Sequence, residues 1–544
     1  MRLRHEAPAP RWWPRVVVVL LLATPGLAAP ALAKPRAARA SRQPLAGLDA
    51  HVARVMRELQ VPGVALAVVK DGALVVAKGY GVRRAGETAA VDEHTLFAIA
   101  SNTKAFTCAA LSMLVEEGRI GWDDPVTRHL PELQMYDPWV TRELTVRDLV
   151  THRAGLGLGA GDLMWWPATT FSRSEIVRGM RWLKPATSLR SRYAYNNVAF
   201  VAAGELLAAV SGRPWQDFVR ARLLEPLAMS DTTTSAPAAS GDVAAPHLLL
   251  KGLPRPIEAA AFDNAAAAAG LRSSAADMAR WVRMLLECGG ARPTAGVTCV
   301  LKPESIRRMW SAQTVQATPD PPSGLEPLKA SFAAYGLGFG LRDYRGRKLV
   351  THTGGLPGYL SRVALVPEER LAVVVLTNQE SSAAFDAIAF HVLDAYLAPQ
   401  APPVDWLAGF RAQAEQEAGK AEETVAKAAA ARERSSTPSL PPAGYAGRYC
   451  DPWYGEAAVS LEGGRLVLSL ARTPGMVADL EHWQHDTFVA RWRVAYMSDR
   501  QPADAYVSFA LRPDATIERV TLEPVSPAID FSFDYKDLVF TPVP

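Results

Sequence analysis

A chain of 544 residues, 49% of them apolar, can bury a large core and exceeds the length of one ordinary domain. Its formal charge is +4, but residues 1 to 33 hold four arginines and one glutamate, so the remainder stands at only +1. A body so close to neutral lacks the clustered basic footprint that phosphate backbones require, which argues against a nucleic-acid partner.

In chain order, Arg2, Arg4, Arg11 and Arg15 precede the apolar run Val16 to Leu22, and Ala31-Leu32-Ala33 supplies a small-x-small cleavage pattern. This predicts a signal peptide over residues 1–33 and an exported protein, periplasmic or secreted. Pro25 and Gly26 interrupt the apolar stretch, which falls short of the roughly 20 residues a span needs, so no stable membrane anchor is expected. Val64 to Val69 and Leu74 to Val76, around Asp71-Gly72, read as a hairpin.

Ser101-Asn102-Thr103-Lys104 opens an amphipathic helical run, Thr103 to Glu117, closed by Gly118. A helix sets residues three apart on one face, so the Lys104 amine can reach the Ser101 hydroxyl and activate it as a nucleophile. Alone, such a pair reads more simply as a surface serine near a solvated lysine. Tyr195-Asn196-Asn197 then precedes the apolar helix Val198 to Val210, which places a phenol and an amide at a loop-to-helix junction. Helical and loop-rich sequence continues to about Gly290. Cys288 and Cys299 bracket a short turn-rich loop and, in an exported protein, are expected to form a disulfide, with Cys108 a buried thiol and Cys450 left without an evident partner.

Strand-like segments return from Tyr335 to Thr377. Lys348-Leu349-Val350 leads into His352-Thr353-Gly354-Gly355, and Val363 to Val366 follows, so two strands are predicted with a connection through Gly354, Gly355, Pro357 and Gly358. A helix Ala383 to Leu397 comes next, then a solvated helix from Phe410 to Glu433 and a Ser/Pro-rich linker. Short β-rich runs from Tyr445 to Pro544 indicate a small all-β domain. His482 and His485 form H-x-x-H, but the strand pattern and Trp483 beside them favour sheet packing, and no metal site is expected. Neither G-x-S-x-G nor H-E-x-x-H occurs, no dinucleotide loop stands out, and no cofactor is implied.

In this order, Ser101/Lys104, Tyr195/Asn197 and His352-Thr353-Gly354 resemble the serine β-lactamase and penicillin-binding-protein superfamily, in its class C-like branch. Thr151 to Leu156, Ser273 to Met278, Tyr335 to Gly340 and Val375 to Asn378 extend the likeness over residues 45–398. The resemblance implies an α+β fold in which an antiparallel sheet is flanked by helices and joined to a helical subdomain. It also implies an acyl-enzyme at Ser101, with Lys104 and Tyr195 sharing the proton transfers. Asn197, His352, Thr353 and Gly354 would bind substrate, and the N–H groups of Ser101 and Gly355 would form the oxyanion hole. His352 would face a substrate carboxylate or hydroxyl where relatives carry lysine, making recognition pH dependent near pH ~6.5. This H-T-G, together with Ala269-Gly270 in place of Gly-Gly, makes efficient β-lactam hydrolysis doubtful and widens the expected substrates to D-amino-acid peptides and small esters. Tyr445 to Tyr449 and Leu480 to Trp483 look like an appended lipocalin-like domain over residues 443–544, after a helical, Pro-rich linker over 399–442. The alternative is a secreted binding protein with a vestigial site.

Overall fold

A computed structural model describes residues 44–235, 241–290, 296–499 and 502–543, and the signal sequence read at the N-terminus lies outside them. The first two apolar runs form β1 (Gly63–Lys70) and β2 (Ala73–Gly81), paired antiparallel around Asp71-Gly72, where both residues have positive φ. Six later strands complete the sheet: β3 (Thr314–Val315), β4 (Ala333–Tyr335), β5 (Gly340–Tyr344), β6 (Arg347–Leu356), β7 (Tyr359–Val366) and β8 (Leu371–Thr377). Their order is β2-β1-β8-β7-β6-β5-β4-β3, antiparallel throughout. The sheet is therefore assembled from both ends of residues 63–377.

Period-two alternation explains why β1 and β8 are almost uninterruptedly apolar: each face needs its own cover. Val64, Leu66, Val68, Val373 and Val375 pack under α1 (Leu48–Leu59) and a C-terminal helix pair, whereas Ala65, Ala67, Val374 and Leu376 join the core on the other side. On that side lies α2 (Thr103–Glu116), with α3 (Val198–Ser211) and α4 (Ala275–Gly289) against it. Every residue of α2 from Thr103 to Leu114 is buried. The amphipathic reading is corrected here, because α2 runs between sheet and helical subdomain and has no solvent face. Cys288, near the end of α4, is disulfide-bonded to Cys299 with Cα atoms 5.7 Å apart; Cys108 is buried and free, Cys450 half-buried and free.

The glycine-rich connection also differs from the sequence reading. Gly354 and Gly355 lie within β6, and the chain turns only at Pro357-Gly358. Beyond α5 (Ser382–Leu397), the predicted solvated helix begins earlier, as α6 (Trp406–Ala431), and its first turns are core. Trp406 and Phe410 stack near Phe390 with ring centroids 5.3 and 5.8 Å away. Solvated character begins only after Phe410, so the linker starts as part of the catalytic domain's packing.

The C-terminal region is a closed eight-stranded antiparallel barrel, consistent with a lipocalin-like domain: β9 (Gly447–Asp451), β10 (Gly455–Glu462), β11 (Arg465–Leu470), β12 (Val477–Gln484), β13 (Thr487–Trp492), β14 (Ala505–Leu511), β15 (Ile517–Pro524) and β16 (Val539–Pro542). Pairing of β9 with β16 closes it, which removes the exposed sheet edges. Tyr445, Phe488 and Phe509 meet edge to face inside. Among the described residues, no helix is long and apolar enough to cross a membrane.

Candidate active site

Ala100 takes the left-handed conformation, φ 47°, at the start of a 3₁₀ turn Ala100–Asn102 that leads into α2. That conformation costs an alanine about 1–3 kcal/mol and persists only where neighbours hold it. Here Ser361 Oγ donates to Ile99 O at 2.8 Å and accepts from Asn102 Nδ2 at 2.8 Å, while Ile99 N donates to Leu271 O at 3.0 Å. The turn sets Ser101 half-buried at the wall of a cleft of about 410 Å³.

Lys104 is fully buried, and its Nζ donates to Ser101 Oγ at 2.9 Å, Asn197 Oδ1 at 2.7 Å and Ala268 O at 3.0 Å. Burial pushes the ammonium down to about 7, against the opposing pull of the Asp162 carboxylate. Both forms are then present near neutrality. In the amine form Asn197 Oδ1 and Ala268 O take the two N–H bonds, which leaves the lone pair for the Ser101 proton.

Tyr195 lies against this pair, with Lys104 Nζ 4.8 Å from its ring centroid. Burial holds the phenol well above its usual value, so it is a proton donor at neutral pH. His152 is packed on the Tyr195 ring at 4.2 Å and kept neutral by burial; its Nδ1 accepts from Asn196 N at 3.1 Å. It wedges the tyrosine in place.

Asn197 does not act as the helix cap. Asn196 does, accepting from Ala199 N at 3.0 Å, while Asn197 bridges Lys104 and the buried Asp162, donating to Asp162 Oδ2 at 2.7 Å. One amide hydrogen of Asn197 remains for a substrate. Burial raises the Asp162 carboxyl to about 7.

The charge role expected of His352 is corrected. Its Nδ1 lies 2.6 Å from Thr353 O and donates, leaving Nε2 as acceptor for the Tyr335 hydroxyl at 3.0 Å. Burial, reinforced by Lys104, pushes the imidazole down to about 3, so it is neutral throughout the physiological range. At Gly354 a Cβ would lie 2.2 Å from Ile99 O and 3.0 Å from Ser101 N, so this glycine is the point where β6 meets the turn that carries Ser101. Thr353 and Gly355 do line the cleft. Pairing of β6 with β5 ends at Thr351–Gly340, which leaves β6 from His352 onward without a strand partner on that side among the described residues.

Among the cleft residues that escaped the sequence reading are Trp165, Trp166, Arg362 and Phe531. Arg362 Nε is 2.6 Å from the half-buried Asp386 and its Nη1 donates to Thr351 at 3.3 Å, so the guanidinium is the fixed cation of this wall. A lone charged residue in the mostly apolar β7, opposite Thr353, was the available signal. Asp162 carried none, a lone acid in a loop.

The family model described as Beta-lactamase matches residues 48–398, and a domain of unknown function, DUF3471, matches 431–542. Unguisins hydrolase ungD' of Aspergillus campestris is 29% identical over 498 residues, covering 86% of this chain and 88% of that protein. Its counterpart ungD of Aspergillus violaceofuscus is 27% identical over 505 residues, covering 86% of each chain. Protein flp of Staphylococcus aureus is 22% identical over 340 residues, covering 61% of this chain and 63% of its own. The octameric penicillin-binding protein homologue from Pyrococcus abyssi shares the fold, with a TM-score of 0.55, 22% identity, and coverage of 91% of this chain and 99% of that one. With almost two thirds of its length matched by one family model, and hydrolases among its relatives, the chain belongs to the Beta-lactamase family.

Proposed function

We propose that this Beta-lactamase-family hydrolase works through an acyl-enzyme at Ser101, cleaving amide or ester bonds in peptide, β-lactam or small ester substrates. The observation that carries the reading is the buried Lys104 amine, 2.9 Å from the Ser101 hydroxyl and lowered to about 7. Lys104 takes the Ser101 proton as Oγ attacks the carbonyl carbon, and the N–H groups of Ser101 and Gly355 face the developing oxyanion. Tyr195 passes a proton to the leaving nitrogen or oxygen, and the acyl–Oγ bond is then broken by water that gives its proton to the same pair. The names of the two unguisins hydrolases support hydrolysis as the reaction. Export through the N-terminal signal is part of the proposal, supported by the Cys288–Cys299 disulfide.

A fluorophosphonate is expected to label Ser101, as mapped by peptide mass spectrometry. Ser101→Ala should abolish the adduct and lower turnover by about 10³-fold or more while the fold persists. Wild-type turnover in that variant rejects the mechanism, and an unlabelled, inactive wild type favours the vestigial binding protein instead.

A further inference from the structure

We propose that the barrel segment joining β15 to β16 is a working part of the active site: Ser532 positions Asp162, and through it Asn197 and Lys104, while Phe531 forms the wall that selects a bulky apolar group beside the scissile bond. The proposal rests on the Ser101 acyl-enzyme reading.

The contact is built rather than incidental. Ser532 Oγ donates to Asp162 Oδ2 at 3.0 Å, the same oxygen that accepts from Asn197 at 2.7 Å, and both Ser532 and Asp162 are buried. Lys104, Asn197, Asp162 and Ser532 thus form one hydrogen-bonded line from the nucleophile's base into the C-terminal domain. The segment is fixed on either side of Ser532. Asp530 Oδ1 accepts from Ser532 N at 2.8 Å, and Asp534 Oδ2 accepts from Gly161 N at 2.8 Å. Gly159, at φ 68°, admits it: a Cβ there would lie 2.3 Å from Phe531 O. Phe531 then meets Tyr195 edge to face at 5.8 Å and lines the cleft with Trp165 and Trp166. Three aromatic side chains around one wall suit an apolar substituent, whose burial there should favour labelling roughly 10- to 100-fold.

The electrostatics give the line a readout. Lys104 is faced by Cys108 of its own helix, His152, Tyr195, His352 and Asp162; Asp162 is faced by Lys104, Tyr195 and Asp534. The Ser532 hydrogen bond favours the charged form of Asp162, which in turn raises Lys104. Removing the hydroxyl neutralises Asp162 more readily, so Lys104 loses its proton at lower pH.

Labelling rates with fluorophosphonates bearing either a methyl or a benzyl group test this in the full-length protein. Phe531→Ala, at an exposed side chain, should lower the benzyl-to-methyl rate ratio about 10-fold. Ser532→Ala should slow labelling by the methyl probe about 10-fold and move its acid limb down by about half a pH unit, with Ser532→Thr restoring both. An unchanged ratio in Phe531→Ala together with an unmoved limb in Ser532→Ala, Ser101 still being labelled, overturns the proposal alone; should Ser532→Ala not fold, the Phe531 ratio decides it. Absence of wild-type labelling removes the Ser101 reading and this proposal with it.

Discussion

A lysine that stays within reach of Ser101 yet releases its proton near neutrality needs burial without a direct counter-ion. Asn197 provides this separation, standing between Lys104 and Asp162 so that the carboxylate's pull is felt but does not dominate burial. Since the amine is the competent form, kcat/KM is expected to rise with pH through about 7 and to fall below it. His352 adds no second titration, being neutral from about pH 3 upward. A carboxylate-bearing substrate and its neutral ester should therefore follow parallel profiles from about pH 5.5 to 8.5, and a selective loss of the charged substrate through pH ~6.5 would return a charge role to His352. The motif showed that a histidine stands here. It could not show Tyr335, on a different strand, taking up the second ring nitrogen, and that bond is what separates a charged anchor from a neutral strut.

At the scale of elements, the Ala100–Asn102 turn that carries Ser101 rests directly on β6. Gly354 is the point of contact, and the strand is continuous there because the turn falls two residues later than the glycine pattern suggests. Gly354→Ala must push Ile99 O, and with it the turn that carries Ser101, away from the strand by about an ångström, since 2.2 Å lies far inside van der Waals contact. A displacement of that size costs about 10²-fold in rate. Circular dichroism should stay native while kcat collapses; wild-type kcat in Gly354→Ala rules the contact out. Gly355→Ala makes the contrast, since its added Cβ meets only the Leu360 side chain, at 3.1 Å. The helix α2 teaches a related lesson: its sequence looked amphipathic because Thr103, Lys104, Thr107 and Ser112 are polar, but these side chains are buried. Thr107 donates to Ala267 O at 2.7 Å and Ser112 to Cys108 O at 2.8 Å. Polar residues at helical spacing mark solvent only when no neighbour accepts their hydrogen bonds.

Across the whole molecule, barrel and catalytic domain share one continuous apolar core rather than a hinge. Arg472 of the barrel lies over the Phe171 ring at 4.0 Å and pairs with Glu175 at 3.0 Å, and Trp166 meets Phe533 at 6.3 Å. Calorimetry is accordingly expected to show a single unfolding transition that coincides with loss of labelling at Ser101; two resolved transitions would mean that the domains fold independently. The sequence by itself named Ser101, Lys104, Tyr195 and Asn197, which the fold brings into one cleft, and it also determined the apolar strands of the sheet and the presence of a second, β-rich domain. The strands and the second domain are legible from alternation and a shift in composition, whereas the site residues came from the resemblance of three separated motifs taken together. Tertiary structure alone decided that Ser532, 370 residues from Asp162, donates to the same Asp162 oxygen as Asn197, that burial holds the His352 imidazole far below its usual value, and that the barrel closes a wall of the cleft. Hydrogen-bond partners and burial across distant segments set those properties, and neither leaves a period or a spacing along the chain.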